Sequence, residues 1–213
     1  MMRELLGPIE LRGDLVRLEP LAGTHLDDLA RSARDPRIWT WMPQDLRPAG
    51  ALEAWLESAL AAQRAGVAHP YAVVIDGHAV GSTRFMEVRP EARTVEIGWT
   101  WYSPPHWGTR VNPECKLLLL RHAFEVWGAN RVQLKTDGMN LHSQAGIRKL
   151  GAVFEGTLRN HRVRIDGSIA DTAMFSILPH EWPAVKARLE TRLQASGLDV
   201  GGRARQADRF ERL

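Results

Sequence analysis

The chain has one cysteine, two tyrosines and, among its 28 basic residues, far more arginine than lysine. A single cysteine excludes an internal disulfide, which suits a reducing compartment, and a cytoplasmic location is expected. No apolar run approaches membrane-spanning length: the longest, Leu117–Leu120, is interrupted by Arg121 and His122. The N-terminal MMRELLGPIELRGD has no long apolar segment with a small-residue cleavage site, so no secretory signal is expected. The eight histidines show no metal-ligand spacing such as HExxH, so no metal site is expected. There is no GxGxxG, and Gly108-Thr109 lacks the GK[ST] of a nucleotide P-loop. The net charge of +3 is modest, and its arginines are scattered. Nucleic-acid binding calls instead for clustered basic residues with interleaved aromatics.

What is present is the composition of a soluble globule. The 213 residues are 44% apolar and 25% charged, enough for one α/β domain with a tail. Asp14–Glu19 alternates as a first strand. Thr24 to about Ala33 reads as a helix, and about Pro48–Ala65 as a longer amphipathic one stopped by Gly66. A meander follows: Tyr71–Ile75, the Asp76-Gly77 turn, Ala79–Val88 and Val95–Tyr102. The helix Asn112–Trp127 stops at Gly128, Val132–Thr136 is a short strand, and Asn140–Leu150 is a helix ended by Gly151. A hairpin of about Val153–Ile165 with Ile169–Leu178 and a last helix, Glu181–Ala195, complete the pattern. Three consecutive strands followed by strand–helix alternation imply a mixed sheet with helices on its faces.

The most informative stretch is Val95–Ala123, a strand running through a Pro/Gly turn directly into a helix. Asn112 suits the cap of that helix and Pro113 its first position. Such a turn aims unpaired N–H groups and the positive end of a helix dipole at one spot, which attracts an anion such as a pyrophosphate.

Three motifs, EIGWTW (Glu96–Trp101), WGTRVNPECK (Trp107–Lys116) and TDGMNLHSQAGIRKLGAVFEGTLR (Thr136–Arg159), stand in this order within that layout. Together they resemble the GNAT superfamily of acetyl-CoA-dependent N-acetyltransferases. Within it they are similar to the bacterial RimJ/RimL-type subgroup that acts on ribosomal-protein N-termini. The resemblance covers Gly13 to Leu193. It implies an α/β, GNAT-like fold with a mixed, mostly antiparallel twisted sheet of about seven strands and helices on both faces. The domain would occupy residues 1–195, with 196–213 a solvated polar tail.

The activity implied is transfer of acetyl from acetyl-CoA to a primary amine, on a peptide or a small molecule, within a ternary complex and without a metal. A homodimer is compatible with the resemblance. A module that holds CoA without turnover is the alternative reading. The reaction needs a held thioester, a neutral amine, stabilisation of an oxyanion and a proton for the departing thiolate. By resemblance, pantetheine pairs with backbone near Trp101 and Tyr102. The pyrophosphate sits on Trp107, Gly108, Thr109, Arg110, Val111 and Asn112. Asn140 caps its helix or bonds the cofactor arm, and Ser143 protonates the thiolate. Glu96 is either the base, acting through water, or the ion-pair partner of an arginine on a neighbouring strand. His161 is a substitute base, because the position of the subgroup's glutamate is Arg162 here. Trp39 and Trp41 wall the acceptor pocket or serve packing.

Two departures from the family pattern stand out. The phosphate loop has Pro105 and Arg110 at its ends, and Arg110 would be strained if its position required a positive φ. A tyrosine common in relatives is Ile147 here. Cys115 is read as a packed apolar residue rather than a nucleophile.

Overall fold

Apolar patterning and glycine-marked turns divide the described residues into eight strands and five α-helices in a computed structural model. It describes residues 9–207, with side chains through residue 195. The order is β1 (Leu11–Arg12), β2 (Arg17–Pro20), α1 (Leu26–Ser32), α2 (Ala51–Arg64), β3 (His69–Ile75), β4 (His78–Arg89), β5 (Thr94–Tyr102) and α3 (Val111–Arg121), continued by a π turn over His122–Val126. Then come β6 (Arg131–Asp137), α4 (Leu141–Leu150), β7 (Val153–Val163), β8 (Ile169–Ile177) and α5 (Trp182–Ala207).

One sheet runs β1-β2-β3-β4-β5-β6-β8-β7, antiparallel throughout except for the parallel pair β5–β6. The eighth strand is β1. The expected strand Asp14–Glu19 instead starts at Arg17, because Gly13 N–H donates to the Val16 carbonyl and closes a turn through Asp14 and Leu15. Asp76 and Gly77 have φ of 50° and 83°, the left-handed pair that joins β3 to β4 without splaying them.

The helices cover both faces. Cys115 and Leu117–Leu120 of α3, Leu150 of α4, and Trp182, Val185 and Leu189 of α5 pack on one side with Phe85, Ile97 and Phe175. Leu29 of α1 and Leu52, Trp55 and Leu56 of α2 pack on the other with Trp39 and Trp101. Burial of these apolar side chains, each contributing about 1.5–3 kcal/mol, drives the sandwiching of the sheet.

Three boundaries differ from the sequence reading. A 3-10 turn over Gly23–His25 precedes α1, and Thr24 does not cap it. Helix α3 starts at Val111 rather than Asn112. Helix α5 continues to Ala207, so the tail expected from residue 196 begins as helix, and residues 208–213 lie outside the described residues.

Candidate active site

The two halves of the sheet share few backbone bonds. Strands β5 and β6 pair only at Thr94–Arg131, Val95–Val132 and Glu96–Gln133. Beyond Glu96, β5 stays with β4 as far as Gly81–Tyr102, while β6 stays with β8 as far as Asp137–Thr172. The facing edges of β5 and β6 therefore part, opening a wedge in the middle of the sheet.

A bulge bends β5 away. Arg84 pairs with Gly98 and Ser82 with Trp101, so Trp99 and Thr100 together stand opposite Thr83. Trp99 has φ 48°, a left-handed conformation that costs a non-glycine residue on the order of 1 kcal/mol. Contacts hold it there. The Trp99 ring lies against Trp55 at 6.1 Å and the Arg84 guanidinium at 5.0 Å. On the other face Thr100 Oγ1 meets Thr83 Oγ1 at 2.8 Å and accepts from Lys116 Nζ at 2.9 Å.

At the open end of the wedge, Tyr102 leads through a 3-10 turn, Pro104–His106, to Trp107, Gly108 and α3. Gly108 has φ 71° and reverses the chain. Arg110 has φ −68°, an ordinary helical value, so the strain raised as a concern at this position is absent. The backbone amides of Gly108, Thr109, Arg110 and Asn112 have no hydrogen-bond partner among the described residues. They lie at the N-terminus of an 11-residue helix, where the dipole is positive.

Two expected donors are already committed. Trp107 N–H closes the 3-10 turn onto the Pro104 carbonyl, and Val111 N–H reaches Thr109 Oγ1 at 3.3 Å. Asn112 does not cap the helix. Its Oδ1 accepts from the buried Tyr102 hydroxyl at 3.1 Å, fastening the helix start to the end of β5. The Trp107 indole N–H takes the Tyr102 carbonyl at 2.8 Å, and Arg37 lies over the Trp107 ring at 5.2 Å. That carbonyl already has a donor, and Trp101 is paired to Ser82.

Across the wedge, Asn140 Oδ1 caps α4 by accepting from Ser143 N at 3.0 Å. The half-buried Ser143 hydroxyl on that first turn has no partner among the described residues. Glu96 sits where the strands part. It is 1% exposed, with Lys135 Nζ at 3.0 Å and Gln133 Nε2 donating at 2.8 Å. Glu96 is thus ion-paired to a lysine on β6 rather than to the arginine expected. His161 is exposed on β7, its Nδ1 3.0 Å from Thr172 Oγ1. Trp39 is 2% exposed, gives its indole N–H to the Ala33 carbonyl and packs 5.2 Å from Trp101; it is core. Trp41 is exposed.

Cys115 is fully buried, and burial pushes its thiol up to about 12, which excludes a nucleophilic role at neutral pH.

Several site residues escaped the sequence reading. Asp137, at the free end of β6, receives Arg164 at 2.8 and 2.9 Å, Arg162 at 2.9 Å and the Met139 amide at 2.9 Å. The Arg164 hydrogen bonds, followed by the Met139 amide and Arg162, hold its carboxyl down to about 2. This node ties β6 to the β7 hairpin beside Asn140. Lys116 and Arg84 were missed as well.

The Acetyltransferase (GNAT) domain family matches residues 16–153. A protein from T. thermophilus, solved as a presumed acetyltransferase, is 40% identical over 88% of this chain and 98% of its own, with a TM-score of 0.80. RimJ from Mycobacterium smegmatis, solved with CoA-disulfide, shares the fold: 23% identity over 88% and 96% of the two chains, TM-score 0.76. RimL, a ribosomal L7/L12 α-N-protein acetyltransferase solved with coenzyme A, also shares it at 16% identity over 80% and 98%, TM-score 0.70. No curated protein matches the chain. With its parted β5–β6 pair, its unpaired amides and a family match over most of its length, the chain belongs to the GNAT acetyltransferase family.

Proposed function

We propose that this protein is an N-acetyltransferase that moves the acetyl group of acetyl-CoA directly to a primary amine, on a peptide N-terminus or a small molecule. The observation that carries this reading is the wedge between β5 and β6 opening beside four unpaired amides at the start of α3. The amides of Gly108, Thr109, Arg110 and Asn112 suit a diphosphate, which helix N-termini bind readily. The Arg110 guanidinium adds a charged donor on the same turn. The unpaired edge of β5 beyond Glu96 offers backbone groups to the pantetheine amides, which need partners when buried. Acetyl-CoA supplies an activated acyl group, and the chain's own residues handle the protons.

Ser143 is the donor to the departing sulfur: its hydroxyl is unengaged and it stands on the first turn of the helix that follows β6. Glu96 is the base, accepting the amine proton through water while Lys135 and Gln133 fix its carboxylate. His161 is the substitute base on the opposite bank of the wedge. A sealed Cys115 leaves direct transfer as the simpler route, without an acyl-enzyme. The non-catalytic alternative gains no support from Arg110, whose backbone is unstrained.

Thiol release from acetyl-CoA, followed with a panel of peptides and amines and with product mass, tests the proposal. Release that depends on the amine is expected, and CoA binding without release for any amine would sink it. Ser143→Ala should lower kcat by about 10²-fold, in the range of general acid–base contributions, with little change in the KM for acetyl-CoA. Equal losses in both would show that Ser143 only binds.

A further inference from the structure

Across the sheet from α3, a group of unsatisfied donors lies in the layer of α1 and α2. Arg84 on β4 is only 8% exposed, and its guanidinium lies 5.3 Å from the Trp55 ring and 5.0 Å from the Trp99 ring. Its Nε and Nη2 are buried without a hydrogen-bond partner, and so are the indole nitrogens of Trp55 and Trp101. These rings form one cluster, Trp55–Trp99 at 6.1 Å and Trp55–Trp101 at 6.5 Å. The unsatisfied polar atoms of Arg84, Trp55 and Trp101 are all donors, while Gln63 Oε1, near the end of α2, is a buried acceptor without a partner. Native interiors satisfy the great majority of buried polar groups, so donors concentrated in one place without an acceptor call for an anion. The tryptophan faces compensate part of the cation's lost hydration. Burial pulls the guanidinium down only to about 10, so it is a cation at neutral pH.

The register locates this cluster relative to the chemistry. Arg84 pairs with Gly98 and Met86 with Glu96, so Arg84 and Glu96 stand on one face of the sheet, two residues apart along the strands. That is about 7 Å. Gly98, paired with Arg84, leaves its room to two neighbouring side chains: a Cβ there would lie 2.8 Å from Met86 Sδ and 2.9 Å from Glu96 Oε1. Glu96 itself is committed to Lys135 and Gln133 and does not neutralise Arg84.

We propose that Arg84, with the indole N–H groups of Trp55 and Trp101, forms a carboxylate subsite for the acceptor, so that the preferred amine carries a carboxylate within a few bonds. This rests on the transferase reading above and narrows its acceptor class. Two sources offer that chemistry: small amino acids, and peptides whose first residues are acidic.

The test compares kcat/KM for matched acceptors in the intact protein. One arm uses amino acids against their carboxamides, and the other uses peptides beginning with Asp or Glu against the same peptides beginning with Asn or Gln. A preference of about tenfold or more for the carboxylate member, mainly in KM, is expected in one arm, and that arm identifies the source. Arg84→Met should bring the ratio close to one and Arg84→Lys should recover part of it, each checked by thermal melting. If a variant fails to fold, the wild-type ratios alone decide. Neutral acceptors used as well as or better than their carboxylate partners would overturn the subsite and leave the transferase reading intact. Absence of thiol release with every amine would remove both.

Discussion

Replacing Lys116 by methionine should stabilise the protein, and the size of the gain can be worked out. Lys116 lies on α3 with its ammonium buried, bonded to Thr100 Oγ1 and paired with no carboxylate among the described residues. Burial holds its pKa down from 10.5 to about 8. That difference corresponds to about 3 kcal/mol of destabilisation carried by the folded state below pH 8. Between about pH 8 and 10.5 the unfolded chain keeps the proton and the folded chain releases it, so this cost fades as pH rises. Methionine keeps the apolar stem and removes the charge. Losing the bond to Thr100 costs about 1 kcal/mol, leaving a net gain of about 2 kcal/mol at pH 7. For a chain of this length that is a rise in Tm of about 4–8 °C.

Chemical denaturation of both proteins at pH 7 and at several values up to 10 would measure it. Cys115 acts in the opposite direction at the alkaline end. Its thiol, held up to about 12 by burial, stays protonated in the folded state while the unfolded thiol ionises. Both proteins share that loss, so their difference isolates Lys116. The expected signature is a gap of about 2 kcal/mol at pH 7 that shrinks steadily above pH 8. A methionine variant less stable at pH 7, or a gap independent of pH, would refute the argument that Lys116 is an uncompensated buried charge. Acetyl-CoA affinity should fall in the same variant, because Lys116 fastens Thr100 into the bulge that parts β5 from β6.

Gly81→Ala should damage the wedge directly. A Cβ there would lie 2.2 Å from the Trp101 carbonyl oxygen and 2.8 Å from Tyr102 Cα, both backbone atoms; a loss of about 1–3 kcal/mol in denaturation, with weaker acetyl-CoA binding by titration calorimetry, is expected. His122 should make the fold acid-sensitive. Burial first, then His69, holds its pKa down from 6.5 to about 4, so the unfolded chain takes up a proton that the folded chain refuses between those values. Stability should fall by about 3 kcal/mol as pH drops from 6.5 to 4, and His122→Phe, set among Phe85 and Trp127, should flatten that limb in pH-dependent melts.

The features legible in the sequence are those fixed by short-range chemistry. The Leu117–Leu120 run is wholly buried, Gly128 and Gly151 end helices at φ 63° and 110°, and Asp76-Gly77 turns where its residue types require. The start of α3 was misplaced for a physical reason. Asn112 has the side chain of a cap, but a buried tyrosine hydroxyl ten residues earlier claims its oxygen, and Thr109 serves the first amide instead. Asp137 carries no local signal, because its partners Arg162 and Arg164 lie 25 and 27 residues later. Arg84 lies unmarked within the expected strand Ala79–Val88. Only the bulge that rotates Trp99 towards Trp55 makes it a caged cation, and a one-residue change of register leaves no trace in composition or periodicity.

On the reading proposed above, that bulge lets one short strand serve two substrates. Past it, Thr100 and Tyr102 face α3, where they meet Lys116 and Asn112 and so fix the amide-bearing turn. Trp99 and Trp101 face α1 and α2, where they enclose Arg84. A strand without the bulge would keep pairing and lose its unpaired edge, and with it both the wedge and the left-handed Trp99 that closes the cage. On that reading, the strain at Trp99 serves both faces. Damage to the bulge from either side should impair cofactor and acceptor binding together, whereas damage to the turn at Gly108 should weaken the cofactor alone.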